Sequence, residues 1–336
     1  MLDAKDFSKK QIVVCIPARG DKISYRNDNM IISDGKGNIK YQHTCYRIFM
    51  LIIVGDMTLT TGIIRRAQKF GFSICFMTLG FKLYSMINSG MQGNTLLHKK
   101  QYDYQGTDLA QRIIYNKISN QRKALSRIRR KNEEIKEGIS LLDIYADSVI
   151  DRVLELDSLL GIEGNAAKVY FPRIFNQLQW RGRKPRIKFD YINSLLDIGY
   201  NMLFNFVDCI LQVFGFDTYK GVMHTCFYMR KSLVCDIMEP FRCIIDWRVR
   251  KGCSLGQFKE EDFTMINGQW QLEYKNSAKY CSIFMEDLLD NKECIFAYIR
   301  DYYRAFMKGK EAGKYPLFDF EKEVIINEED FCNDYC

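Results

Sequence analysis

The apolar positions change period along this chain. From Gln11 to about Ile87 they form short runs bounded by turn residues, the mark of strands. Gln11–Ile16, Met30–Ile32 and Ile39–Tyr41 are such runs, the last two joined through Asp34-Gly-Lys-Gly-Asn38 as in a hairpin. Tyr46–Val54 reads as a longer buried strand, with Phe72–Met77 and Phe81–Ile87 as two more. One helix interrupts them: Leu59, Ile63, Ile64 and Ala67 recur at helical spacing, with Thr58 or Thr60 to cap the start and Gly71 to stop it. Residues 88–106 are polar, contain Gly90, Gly93 and Gly106 and keep no period, which suits a linker. From Thr107 the spacing becomes helical, with Leu109, Ile113, Ile114, Ile118, Leu125 and Ile128 on one face, and it stays so to about residue 312. The expected class is therefore α+β. A small β-rich domain at 1–87 and a linker at 88–106 precede a larger all-α domain at 107–316 and an acidic tail at 317–336.

Composition agrees with two folded units. The chain has 336 residues, of which 47% are hydrophobic and 14% aromatic, enough for sizeable cores and too much for global disorder. Its 12 cysteines include no Cys-x-x-Cys, and the close pair Cys332 and Cys336 lacks a second pair, so no structural zinc site is expected. Met1–Lys10 is charged, without the apolar core of a signal peptide, which points to a cytoplasmic protein with reduced thiols. Ile48–Val54 and Tyr200–Phe216 are short for a ~20-residue membrane span, and the second contains Asp208, so no membrane partner is expected.

The net charge of +8 hides an asymmetry. Seven acids and one base in residues 317–336 leave the rest of the chain at +14, a balance suited to an anionic partner such as DNA. Arg173, Arg181, Arg183, Lys184, Arg186 and Lys188 follow one another with no acid between and with Phe175, Trp180 and Phe189 interleaved. Unpaired cations contact phosphates and planar side chains stack on bases, so these residues are candidate DNA contacts. A second cluster is Arg127, Arg129, Arg130 and Lys131. Solvated surfaces account for both clusters equally well.

Four residues could carry chemistry. Glu163 lies between Gly161 and Gly164 in an apolar helical region, where small neighbours would admit another helix or a phosphate. His224 follows Gly221-Val-Met223, and Asp236 and Glu239 lie in Ser232-Leu-Val-Cys-Asp-Ile-Met-Glu-Pro-Phe-Arg242. Pro240 favours a helix start there, with Glu239 as its cap. Singly, each has a plain structural explanation: a surface glutamate, a core histidine, a capping acid. Together, one imidazole and two or three carboxylates without a thiolate suit magnesium or manganese, an ion able to polarise a scissile phosphate. The phosphate loop, dinucleotide fingerprint, zinc-protease and serine-hydrolase motifs are absent.

Gly161-Ile-Glu-Gly-Asn-Ala-Ala167, Gly221-Val-Met-His224 and Leu233-Val-Cys-Asp-Ile-Met-Glu-Pro-Phe-Arg242, in this order, resemble the CRISPR-associated spacer-acquisition integrase family, "Cas one". Ile52–Gly62, Lys117-Ile-Ser-Asn-Gln121 and Asn193–Tyr200 also look like family positions. The resemblance implies an N-terminal β domain for homodimerisation, two dimers in a larger assembly, and a helical domain holding the divalent ion. Glu163, His224 and Glu239 match the family's metal ligands, and Asp236 matches a further acidic position, assigned here to orienting a ligand or water. The implied activity is insertion of short DNA into a CRISPR array by 3′-hydroxyl attack on repeat DNA, and cutting of branched DNA by the reverse chemistry. Its implied partners are double-stranded and branched DNA and the small adaptation protein "Cas two". Lys168 stands where relatives often have Arg, keeping the charge without bidentate phosphate binding; with Arg230 and Arg242 beside the acidic motifs it joins the candidate DNA contacts. The alternative is a branched-DNA-binding scaffold of the same fold without turnover.

Overall fold

The computed structural model describes residues 7–79, 82–88, 94–150, 154–178, 180, 182–184, 187–224 and 227–321. Strand β5 (Ile48–Val54) is the centre of the N-terminal part because all seven of its residues are apolar and buried on both faces. It lies between β1 (Gln11–Cys15) and β6 (Ser73–Met77), parallel to both, and β7 (Leu83–Ile87) closes the sheet antiparallel to β6. The crossover from β5 to β6 is helix α1 (Gly62–Phe70), which ends at Gly71 in the left-handed conformation, as the periodicity and the glycine require. Strands β2 (Lys22–Arg26), β3 (Asn29–Ser33) and β4 (Ile39–Thr44) make a separate antiparallel sheet. In its second turn Asp34 accepts the N–H groups of Lys36 and Asn38. Strand β2 has only Ile23 and Tyr25 as apolar residues, set between polar ones, and was not expected from the pattern.

The faces of β5 serve two cores. Ile48, Leu51 and Ile53 pack with Ile63, Ala67 and Phe70 of α1. Met50, Ile52 and Val54 belong instead to the core of the helical part, and Cys75 on β6 meets Cys209 there at 2.9 Å between sulfurs. The strand-rich unit therefore seals its sheet against the helices rather than standing apart on a linker. Within residues 88–106 the structure places a helix, α2 (Thr95–Asp103), begun by Asn94 accepting the Leu97 N–H. Only Leu97 and Gln101 of it are buried, too few for a visible period. It is tied to the helical part by His98 Nε2, 2.9 Å from the Gly215 carbonyl, and by Gln101 donating to the Asp217 carbonyl.

Helices α3 (Asp108–Ser126), α4 (Glu133–Ile150), α5 (Leu156–Ile174), α6 (Tyr191–Val213), α7 (Ser232–Met238), α8 (Arg242–Ser254), α9 (Tyr274–Asp290) and α10 (Lys292–Met307) build the C-terminal part. It is not all-α. Strands β8 (Phe263–Ile266) and β9 (Gln269–Leu272) form a hairpin turned by Asn267-Gly268, both at positive φ, a two-residue turn whose sequence signal the helical reading passed over. Helix α6 is longer than its apolar run suggested and long and apolar enough for a membrane crossing, yet 78% of its most apolar stretch is buried as the core helix of this part.

Residues 317–321 also belong to the helical part. Asn116 donates to the Phe318 carbonyl at 2.7 Å and accepts its N–H at 2.8 Å, Asn120 accepts the Phe320 N–H, and Lys123 pairs with Asp319. The expected acidic tail thus starts within packed structure, and residues 322–336 of it lie outside the described residues.

Candidate active site

The site forms where α3, α5 and the loop-helix segment 221–242 meet over a cleft of about 1340 Å³. Glu163, His224 and Glu239 all line it. Glu163 comes from the middle of α5. Among the described residues, no atom outside the helix comes within 4 Å of where a Cβ on Gly161 or Gly164 would lie, so the small residues around it admit no neighbouring described helix. Helix α7 stops at Met238, and Pro240 lies in a 3₁₀ turn, Glu239–Phe241, that leads into α8. The N-cap positions of the turn and of α8 are Met238 and Phe241, not Glu239. Its side chain points instead into ion pairs: Oε2 is 2.7 Å from Lys117 Nζ and 2.9 Å from Arg242 Nε. Both contacts fall on one buried carboxylate oxygen. Burial pushes the Glu239 carboxyl up, but Arg242 and Lys117 outweigh it and hold the group at about 2.

Lys117, from the buried stripe of α3, also binds Glu163. Burial alone would lower its ammonium, yet Glu239 and Glu163 together hold it above the ordinary lysine value. Two carboxylates from different helices therefore converge on one cation.

Asp236 is fully buried behind His224. Its Oδ1 lies 2.5 Å from His224 Nδ1 and accepts the His224 N–H, while Oδ2 accepts those of Val222 and Met223. This fixes the imidazole so that Nε2 is the nitrogen left for a ligand or proton. Farther back, Asp246 accepts from the buried hydroxyls of Tyr170 and Tyr200. The Tyr200 ring carries the Arg242 guanidinium at 4.6 Å and that of Arg183 at 5.4 Å.

The candidate DNA contacts divide by partner. Arg173 is bound within the helical part, donating to the Glu134 carbonyl at 2.8 Å and pairing with Glu137. Arg183 is bound to Asp197 at 2.8 Å and to Asn193. Neither is the unpaired cation that the acid-free run implied, because α4 and α6 bring the acids from elsewhere in the sequence. Lys188 and Arg230 line the cleft, Lys184 is exposed over the Phe189 ring, and Lys168 is exposed on α5. Arg181 and Arg186 lie outside the described residues.

Residues 14–286 match the family model described as "CRISPR associated protein Cas1". The chain belongs to the Cas1 family. A relative from Thermodesulfovibrio yellowstonii named CRISPR-associated endonuclease Cas1 1 is 32% identical over 212 residues, 58% of this chain and 65% of that one. One of the same name from Archaeoglobus fulgidus is 27% identical over 274 residues, 72% of this chain and 78% of that one. Among solved structures, a casposase bound to integration product matches with a TM-score of 0.68 at 20% identity, over 94% of this chain and 96% of that one. A chain of a partial Cas6-RT-Cas1–Cas2 complex matches with a TM-score of 0.72 at 21% identity, over 93% of this chain and all of that one. At these identities the structural likeness speaks for the fold.

In this Cas1 chain the donor set of Glu163, Glu239 and His224 has the chemistry of a hard divalent ion's site. The two carboxylates fit it, since they already share a cation in Lys117. Among the described residues, however, no three acidic, imidazole or thiol side chains are gathered around one point. Lys117 holds the middle of the site. Sequence reading placed it in a long helix and gave it no role. The signal was present: Asn116, Lys117, Asn120 and Gln121 interrupt the apolar stripe of α3 at positions that a packed helix must bury.

Proposed function

We propose that this chain is a divalent-metal-dependent DNA endonuclease and integrase of CRISPR adaptation. It would join the 3′ hydroxyl of a short DNA to a phosphodiester of repeat DNA, releasing the 3′ oxygen of the cut strand. The observation that carries the reading is that Glu163, His224 and Glu239 line one basic cleft in a chain of this family. The endonuclease names of its relatives and the integration product of the casposase support it.

Glu163, Glu239 and His224 Nε2 would hold the ion, magnesium or manganese. When bound, such an ion polarises the phosphate and stabilises the departing oxygen. Asp236 keeps the imidazole in one orientation, with Nδ1–H donated to its carboxylate. Lys188 and Arg230 would hold the phosphates on either side of the cut. Double-stranded and branched DNA are the proposed substrates, and the proposed assembly is a homodimer, paired again in a larger complex with the small protein Cas2.

The test is strand transfer of a short duplex into a repeat-containing plasmid with magnesium or manganese. Glu163→Gln, His224→Ala and Glu239→Gln should each lower it by at least about a hundredfold, with DNA affinity largely kept. Full transfer by all three variants would overturn the assignment. One observation favours a second reading: with Lys117 seated between the carboxylates, the protein could serve as a DNA-binding scaffold without turnover. Salt-sensitive binding of branched DNA and no product with either metal would establish that instead.

A further inference from the structure

The least expected group in the site is a lysine. Lys117 Nζ binds Glu163 and lies 2.7 Å from Glu239 Oε2, joining α3, α5 and the 239–241 turn through one ammonium. Its side chain is 10% exposed and that of Glu239 is 4% exposed, so water does little to screen the contact. A divalent ion held by the same two carboxylates would stand within a few ångströms of that ammonium, where two cations repel strongly.

We propose that Lys117 is a resident counter-ion of the Glu163–Glu239 pair and leaves it when a divalent ion is bound, so that loading the site is a cation exchange. This rests on the metal-dependent reading above and adds a positioning residue to it. In the metal-free protein Lys117 keeps two acids, one of them deeply buried, together at low electrostatic cost. The pair is thereby preassembled, and ions of weak charge are kept out.

A second observation shows where the ammonium would go. Gln121 is one turn further along the same face of α3 and lines the same cleft, and its side-chain oxygen is buried without a hydrogen-bond partner. An unmet acceptor of this kind is costly unless something reaches it. A lysine has four rotatable bonds and three donors, and turning from Glu163 and Glu239 towards Gln121 keeps it bonded within the site.

Two measurements test the exchange, neither of them an activity of the loaded enzyme. The first is titration of manganese into the full-length protein, followed by electron paramagnetic resonance of the free ion. Lys117→Met and Lys117→Gln should bind manganese at least about tenfold more tightly than the parent, and Lys117→Arg should bind it as the parent does or more weakly. Their metal-free forms should melt at lower temperature and gain more from manganese than the parent does. Unchanged or weaker binding by folded Met and Gln variants would overturn the proposal.

The second measurement needs no variant. An amine-acylating reagent followed by peptide mass spectrometry should label Lys117 of the parent protein several-fold faster with manganese than without, as the ammonium gives up two carboxylate partners that hold its proton for a neutral amide lining the same cleft. Equal labelling in a sample shown by resonance to have bound manganese would overturn the proposal. If parent, Met and Gln proteins all fail to bind manganese, the metal-dependent reading falls, and the exchange with it. Binding by the parent together with failure of either exchange result removes only the role of Lys117.

Discussion

Asp236 and His224 are bound twice, through the imidazole Nδ1 at 2.5 Å and through the backbone N–H at 3.0 Å, both to the same carboxylate oxygen. The other oxygen takes the N–H groups of Val222 and Met223 at 2.7 and 3.0 Å. One buried carboxylate therefore both shapes the 222–224 loop and orients the ring at its end. Asp236→Ala should cost about 2–4 kcal/mol in denaturant unfolding, because three N–H groups lose their acceptor. Asp236→Asn keeps the size but weakens the hold on Nδ1. It should lower metal affinity or strand transfer by about 10- to 100-fold, the usual effect of losing a partner behind a histidine ligand. Strand transfer at parental rate by Asp236→Asn would refute the orienting role.

Gly221 leaves no room for a side chain. A Cβ there would lie 2.6 Å from Asp236 Oδ2, 2.8 Å from Ser232 Cβ and 3.0 Å from the His224 carbonyl. Gly221→Ala should destabilise the protein by about 1–3 kcal/mol and displace Asp236, lowering strand transfer as well. Gly161→Ala, in the open flank of α5, is the control: it meets nothing within 4 Å among the described residues and should stabilise the helix by up to about 1 kcal/mol. Thermal melting and strand transfer on both variants check the contrast.

The basic residues of 173–188 should separate in experiment. Lys188 lines the cleft with no acid paired to it among the described residues, so Lys188→Ala should weaken DNA binding at all sequences and reduce the slope of log K against log salt by about 1. Its melting temperature should stay near the parent's. Arg173→Ala should do the reverse, melting lower through loss of its bonds to Glu134 and Glu137 while leaving the salt slope unchanged. Filter binding between 50 and 200 mM salt, with melting on the same samples, decides it.

Asp246 gives a pH signature. Burial pushes its carboxyl up, against the hydrogen bonds of Tyr200 and Tyr170 and the charges of Arg242 and Arg183, to about 6 in place of 3.8. Between these values the folded protein holds a proton that the unfolded chain does not, so this group favours folding increasingly as pH falls from 6 towards 4. Above 6 the advantage is gone. The span is worth roughly 3 kcal/mol. Asp246→Asn should remove this dependence between pH 4 and 6 in urea unfolding, and an unaltered dependence would place the titration elsewhere.

Much of the first part of the chain was legible because its signals are local. The seven apolar residues of β5, the Asp34–Asn38 turn and the Gly71 stop each act within a few positions. Helix α2 was not, since it buries only two residues, nor was strand β2, whose alternation of Ile23 and Tyr25 with polar residues lasts only five positions. The hairpin at 263–272 carried its Asn267-Gly268 turn in plain sight, inside a region whose neighbours all read as helix.

The sequence by itself determined which residue types could meet a phosphate or an ion: Glu163, His224, Asp236 and Glu239 within motifs that mark the family. Periodicity and short motifs are properties of neighbouring residues, so the chain alone could present them. Only the tertiary structure decided the pairings between distant segments. It took Arg173 and Arg183 out of the free positive charge by setting Glu137 and Asp197 against them, and it set Lys117 between Glu163 and Glu239. A charge is free or spent according to what lies within a few ångströms of it, and that distance is set by how α3, α5 and the 221–242 segment pack, not by their order along the chain.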